Sequence, residues 1–102
     1  MIVGNMDISE SLWGDMPIRS PDELRGFIVK LKQAVSSGEM QQYWPTNALL
    51  ATDMKISDID ESGPWPDYIE WYFLSAMSRK RYKLSVETYH GAGGRWERHE
   101  GQ

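Results

Sequence analysis

The sequence predicts an α+β fold, in which one amphipathic helix packs on a three- to four-stranded antiparallel β-meander. Three observations indicate this fold. One strongly capped helical pattern occupies residues 21–37, and three strand-like segments follow it in close succession. The 102 residues, 40% of them hydrophobic, suffice for one core that needs no disulfide or metal to hold it together. Residues 1–102 are therefore expected to form a single domain.

The predicted helix begins at a capping signal. Ser20 can serve as N-cap, Pro21 stands where its missing N–H costs nothing, and Glu23 completes a Ser-x-x-Glu capping box. Gly38 supplies the stop. Between these signals, apolar residues recur at the spacing of one buried helix face: Leu24, Phe27, Ile28, Leu31, Ala34 and Val35.

The segment after the helix is harder to assign. Residues 40–45 form either a short strand closed by Pro45 or an irregular segment held by aromatic side chains. Residues 45–67 combine prolines and Gly63 with several acidic residues, which predicts a long acidic loop. Because a loop of this length in a small domain is usually functional, we look for function there.

Three strands are predicted in the remaining chain. Residues 68–76 are rich in aromatic residues and apolar on both faces of the predicted strand, which is typical of a central strand. Residues 81–89 alternate cleanly, and the short connection before them predicts an antiparallel hairpin. The glycines of residues 91–94 indicate a turn into a last strand at residues 95–99. One face of the middle strand is apolar: Tyr82, Leu84 and Val86.

Composition excludes several classes of protein. The chain has no cysteine, so thiol nucleophiles, disulfide scaffolds and thiolate metal sites are excluded. Its apolar runs are far shorter than the ~20 residues of a membrane span, and the N-terminus does not resemble a signal peptide, so we expect a cytoplasmic protein without membrane contact.

Charge is distributed unevenly. The net charge of −4 disfavours direct nucleic-acid binding, because phosphate affinity rests on clustered Lys and Arg. Residues 1–70 carry 12 acidic and 5 basic side chains, whereas residues 71–102 carry 3 and 6. Residues 53–70 carry six acidic side chains against Lys55 alone, a local charge that would attract a basic partner: Asp53, Asp58, Asp60, Glu61, Asp67 and Glu70.

Candidate catalytic and metal-binding residues favour structural interpretations. His90 could act with Glu87 or Tyr89 as an acid/base group, but no nucleophile stands in a recognisable context. Asp58 and Asp60 have the Asp-x-Asp spacing with which a calcium-binding loop begins. The glycine and the final glutamate that such a loop needs are missing. We therefore predict no catalytic residue, no metal and no cofactor, and a protein that is not an enzyme.

Two further features of the sequence each have two interpretations. Trp65, between two prolines, is either a lid packed on the core or an exposed anchor for a partner. A basic group around the predicted hairpin tip is either a solvated turn or a phosphate contact: Arg79, Lys80, Arg81 and Lys83.

Two stretches carry a resemblance to a known family. Residues 63–73 read GPWPDYIEWYF, and residues 80–96 read KRYKLSVETYHGAGGRW. Together they resemble the small immunity proteins of bacterial polymorphic-toxin and contact-dependent growth-inhibition systems. The resemblance implies a cytoplasmic antidote that binds one cognate toxin domain, often a basic nuclease, and blocks its active site or its access to substrate.

A partner-binding hypothesis follows. We expect the acidic side chains to face the basic surface of the toxin, with Trp65 at the centre: Asp58, Asp60, Glu61, Asp67 and Glu70. The main alternative is a small ligand-binding protein or enzyme with a pocket near His90 and Tyr89, lined also by Tyr68 and Tyr72. A third possibility is a regulator that contacts nucleic acid through the basic hairpin tip. The sequence leaves the oligomeric state open.

Overall fold

A computed structural model describes residues 13–46, 48, 50–91 and 93–99. One helix lies on a five-stranded antiparallel sheet of order β1-β5-β4-β3-β2. The predicted α+β class is confirmed, with one or two strands more than expected. In chain order the elements are β1 (Met16–Ile18), α1 (Pro21–Ser37), β2 (Met40–Tyr43), a 3₁₀ turn (Ile56–Asp58), β3 (Tyr68–Ser75), β4 (Arg81–Glu87) and β5 (Gly93–Arg98).

Helix α1 begins and ends where the sequence predicts. The Ser20 hydroxyl accepts a hydrogen bond from the backbone N–H of Glu23 at 3.1 Å, and the Glu23 carboxylate accepts one from the N–H of Arg19. Gly38 closes the helix in the left-handed conformation, at a φ of 87°, which glycine adopts without a steric cost. Five of the predicted apolar residues are buried: Leu24, Phe27, Ile28, Leu31 and Ala34.

The strand ends differ from prediction by a few residues. Strand β4 ends at Glu87, two residues before the predicted end, although the N–H of Thr88 still bonds the carbonyl of Asp67 in the register of the β3–β4 ladder. Strand β5 begins at Gly93, inside the stretch read as a turn, and Gly94 pairs with Val86. Of the two interpretations of residues 40–45, the strand is correct.

The core lies between α1 and the sheet face that carries Tyr82, Leu84 and Val86. Trp96 stands at its centre, with ring centroids 5.4 Å from Trp13 and 5.0 Å from Phe27. The Trp96 indole N–H donates to the Trp13 carbonyl at 3.1 Å. Trp71 and Trp96 are therefore core residues, as expected from their positions in strands.

The opposite face of the sheet carries no helix within the described part of the chain. We call it the helix-free face, and its side chains alternate with those of the core. Its members are Gln41, Tyr43, Tyr68, Glu70, Tyr72, Leu74, Arg81, Lys83, Ser85, Glu87, Arg95 and Glu97.

No helix in the described ranges has both the length and the apolar composition needed to cross a membrane.

Candidate functional site

The acidic loop is anchored to the body of the protein. Ile56 and Ile59 are buried in the core, and Trp65 packs partly buried against it. Lys32 of α1 donates to the Ile59 carbonyl at 2.6 Å and forms an ion pair of 3.3 Å with Glu61. The loop therefore contributes to the core. Its prolines and acidic residues did not indicate this role. Its backbone is held at several points.

The loop carboxylates face outward. Asp58, Asp60 and Asp67 are exposed, and neither Asp58 nor Asp67 forms an ion pair with any described residue. Asp60 accepts a hydrogen bond from the N–H of Ser62 at 2.8 Å, which stabilises its own turn. Glu61 is partly neutralised by Lys32. These side chains are thus exposed carboxylates on a loop whose backbone is held at Ile56, Ile59 and Glu61.

Trp65 occupies the position that the lid interpretation describes. Its side chain is only partly exposed and packs against the core cluster. The indole nitrogen is buried and finds no hydrogen-bond partner among the described residues. Trp65 therefore supports the acidic loop from below, while its contact with a partner stays a prediction.

Glu70 lies apart from the loop carboxylates. It is only 7% exposed and belongs to the helix-free face, whereas its neighbours Ile69 and Trp71 point into the core. Tyr68 donates its hydroxyl to one Glu70 oxygen at 2.6 Å, and Tyr72 donates to the other. Of the predicted partner-binding residues, Glu70 is thus buried within the sheet, whereas Asp58, Asp60 and Asp67 are exposed.

The Tyr68–Glu70–Tyr72 cluster has a defined protonation state. Burial raises the pKa of Glu70, but hydrogen bonds from both tyrosines, together with Lys83 and His99 nearby, hold it below its ordinary value. Burial and the bond to Glu70 raise the pKa of Tyr68 to about 12, and the same causes raise that of Tyr72 further. At neutral pH the cluster is one carboxylate with two neutral phenol donors.

This cluster was not recognised from the sequence, although a signal existed. Tyr68, Glu70 and Tyr72 stand at alternate positions of one strand, so their side chains share a face. The His99 ring packs edge-on against Tyr72, with centroids 5.0 Å apart. Because Glu70 is buried and each of its oxygens accepts a hydrogen bond from a neighbouring tyrosine, the carboxylate orients its neighbours and is poorly placed to meet a partner.

The residues of the alternative pocket are gathered only in part: Tyr68 lies opposite Glu87, at the same end of β4 as Tyr89 and His90. The His90 side chain is 78% exposed, and Tyr89 stands edge-on beside it, 71% exposed. Glu87 accepts a hydrogen bond from the His90 N–H at 2.8 Å. Tyr72, by contrast, is buried near the other end of β4, opposite Lys83. This region has the geometry of an exposed turn.

Basic residues collect at one end of the strands. Arg79 and Lys80 lie in the turn between β3 and β4, and Arg98 stands at the same end because its register partner is Tyr82. Asp67 lies at the opposite end, where β3 begins. Lys83 belongs instead to the helix-free face, where it acts on Glu70. Acidic residues also lie at the end with the basic turn, because Asp15 accepts the N–H of Arg98 at 3.1 Å and the Glu39 carbonyl accepts that of Ala76.

Among the described residues, no three carboxylate or imidazole groups converge into a metal-binding cluster. Comparison of the chain with protein-family models, with curated proteins and with solved structures finds no match. Its function must therefore be inferred from its own surfaces.

Proposed function

We propose that this protein is an antidote of the immunity-protein type, which binds one cognate bacterial toxin domain and blocks its active or substrate-binding surface. One observation carries the proposal. The carboxylates of Asp58, Asp60 and Asp67 face outward from a loop that buried apolar side chains hold in place. The resemblance of residues 63–73 and 80–96 to immunity proteins supplies the class of partner.

A fixed acidic surface suits this task physically. Because the loop is already anchored, binding orders few additional groups, so less of the interaction energy is lost as conformational entropy. Acidic side chains also accelerate encounter with a basic partner and disfavour acidic ones. A nuclease that holds phosphates carries such a basic surface, and occupying it excludes the nucleic acid.

The six residues take different parts in this proposal. Asp58, Asp60 and Asp67 meet the toxin directly, and Glu61 contributes less because Lys32 partly neutralises it. Trp65 contributes through its exposed edge and its packing beneath the loop. Glu70 acts indirectly, by ordering the helix-free face.

Co-expression tests the proposal as a whole. The tagged protein is produced together with the product of the upstream reading frame that adjoins it, and growth and co-purification are measured. We expect stoichiometric capture and restored growth. Capture without rescue, or neither, would contradict an antidote function.

A matched pair of variants tests the acidic surface. Asp58→Asn with Asp67→Asn removes two exposed carboxylates that form no ion pair with described residues. Asp22→Asn with Glu97→Gln removes the same charge elsewhere, from carboxylates that form surface ion pairs with Arg25 and Arg95. We expect the first pair to slow association with the captured toxin about tenfold at low salt and to flatten its salt dependence. The control pair should behave like the wild type. Equal behaviour of both pairs would place the interface elsewhere.

A further inference from the structure

The two edges of the sheet are protected unequally. Both edge strands are short, but β1 has Pro17 at its centre, which discourages a further strand from pairing with it. Strand β2, at the other edge, has neither proline nor charge between Met40 and Trp44. An edge without such protection is open to pairing with another chain.

The backbone of β2 presents hydrogen-bonding groups on its outer side. The N–H of Ala76 bonds the carbonyl of Glu39 at 2.9 Å, so alternate residues from Glu39 onward face β3. The N–H and C=O groups of Met40, Gln42 and Trp44 must then point away from the sheet. Within the described residues, no backbone group bonds to the main-chain N–H or C=O of Met40 or Gln42 on that side. The Gln42 side chain is engaged with the neighbouring loop, because it accepts the Ile56 N–H at 2.8 Å and donates to the Met54 carbonyl at 3.0 Å.

An apolar groove runs beside this edge. The groove has a volume of about 390 Å³ and lies between β2, the end of α1 and the 3₁₀ turn. Its lining includes Val35, Gly38, Met40 and Ile56. Trp44 stands at its rim, 43% exposed, with its indole N–H bonded to the Thr52 carbonyl at 3.0 Å. Lys55 also lines the groove and is exposed, so its ammonium group can stay in water.

We propose that the outer edge of β2 pairs with the same edge of a second copy, forming a dimer with one continuous ten-stranded sheet. The edge is complementary to itself. A two-fold axis through Gln42 places Gln42 opposite its own copy and Met40 opposite Trp44 of the second copy. Each outward-facing residue thereby gains an antiparallel partner.

Side chains and charge agree with this register. Met40 and Trp44 have the same parity, so each Trp44 side chain lies on the helix side and enters the groove beside Val35 of the other copy. No charged residue stands between Met40 and Trp44, so the paired edges do not repel each other. A dimer of this kind is independent of the proposed antidote function.

Sedimentation velocity over a range of concentrations tests the association. We expect a species of twice 11.8 kDa that dissociates on dilution. Trp44→Lys should raise the dissociation constant roughly tenfold or more, whereas Met77→Lys, which adds the same charge at another exposed apolar position, should not. A wild-type monomer at all concentrations, or equal effects of both variants, would overturn the proposal.

Cysteine cross-linking tests the register, since the chain has no cysteine of its own. Gln42→Cys should form a disulfide across the two-fold axis, where paired Cα atoms lie about 5.5 Å apart. Gln41→Cys is the control, because its two copies lie diagonally at roughly 7–8 Å and bridge poorly. Preferential cross-linking at Gln41, or capture of another protein's strand by a monomer, would show that the edge serves a different arrangement.

Discussion

Glu70 is the residue whose environment departs most from that of an ordinary surface carboxylate. It is ionised and largely buried, yet no ion pair within 4 Å compensates its charge among the described residues. Two phenol hydroxyls supply the compensation instead. Since hydrogen bonds to a buried charge contribute more than neutral ones, the cluster stabilises the strand that carries it.

Removal of one phenol donor tests this contribution. Tyr72→Phe keeps the ring but loses the hydrogen bond to Glu70, so we expect the free energy of unfolding at pH 7 to fall by about 1.5–3 kcal/mol. Tyr89→Phe, at an exposed ring, should change it by less than about 0.5 kcal/mol. Urea unfolding followed by tryptophan fluorescence measures both. Equal losses would mean that the Tyr72 hydroxyl has no special role.

The same cluster predicts a pH dependence with a definite sign. The pKa of folded Glu70 lies below its ordinary value of 4.5, so its stabilising contribution is complete above pH 4.5 and is lost as the pH falls through the folded value. The pKa of Tyr68 is raised from 10.0 to about 12, so its contribution is complete below pH 10 and lost toward pH 12.

Carbon-13 NMR titration of the Glu70 carboxyl checks the acid side. In Tyr72→Phe the Glu70 pKa should rise, because one bond that favours the charged form is gone. In Glu70→Gln the acid-side loss of stability should be smaller than in the wild type. A Glu70 pKa that does not respond to Tyr72→Phe would show that the nearby Lys83 and His99 control it instead.

At the scale of elements, strands β4 and β5 approach each other unusually closely at Gly94. A Cβ atom there would lie 2.0 Å from the Ser85 carbonyl oxygen and 2.7 Å from the Val86 Cα. Both are backbone atoms, which cannot move aside without disturbing β4. At the neighbouring Gly93, a Cβ atom would meet nothing within 4 Å.

This contrast supplies a matched experiment on one strand. Gly94→Ala should lower the free energy of unfolding by about 1–3 kcal/mol, because the added methyl group forces β5 away from β4. Gly93→Ala should change it by no more than about 0.5 kcal/mol. Urea unfolding gives both values. Similar stabilities of the two variants would contradict the close approach.

At the scale of the whole molecule, one core joins the helix to all parts of the sheet. Phe27 of α1 meets Trp96 of β5, while Ile56 and Ile59 bring the acidic loop into the same cluster. No described element has a core of its own. A domain organised in this way is expected to unfold as one cooperative unit.

Unfolding followed by two probes tests this cooperativity. Far-ultraviolet circular dichroism reports mainly on α1, and fluorescence reports on the buried tryptophans of the core and sheet. We expect coincident urea midpoints, and Phe27→Leu should shift both midpoints downward together. If the helical signal were lost first, α1 would be a separate unit, and the acidic loop that it anchors would be less firmly held.

The sequence by itself determined the features that depend on neighbours along the chain. The Ser20 cap, the spacing from Leu24 to Ala34 and the alternation of β4 are local, and they led to the correct helix and hairpin. Charge counts likewise located the acidic segment, although its function as an interface stays a prediction.

Only the tertiary structure decided which faces and edges meet. Strand β1 is too short to show a pattern, and it exists because Met16 pairs with Trp96, far away in sequence. Alternation indicated that Glu70 and Trp71 lie on opposite faces, but not which face α1 covers. Anchoring of the acidic loop follows from that choice, because the environment of Ile56 and Ile59 is set by elements that are distant along the chain. Glu70, by contrast, is buried on the face that α1 leaves uncovered.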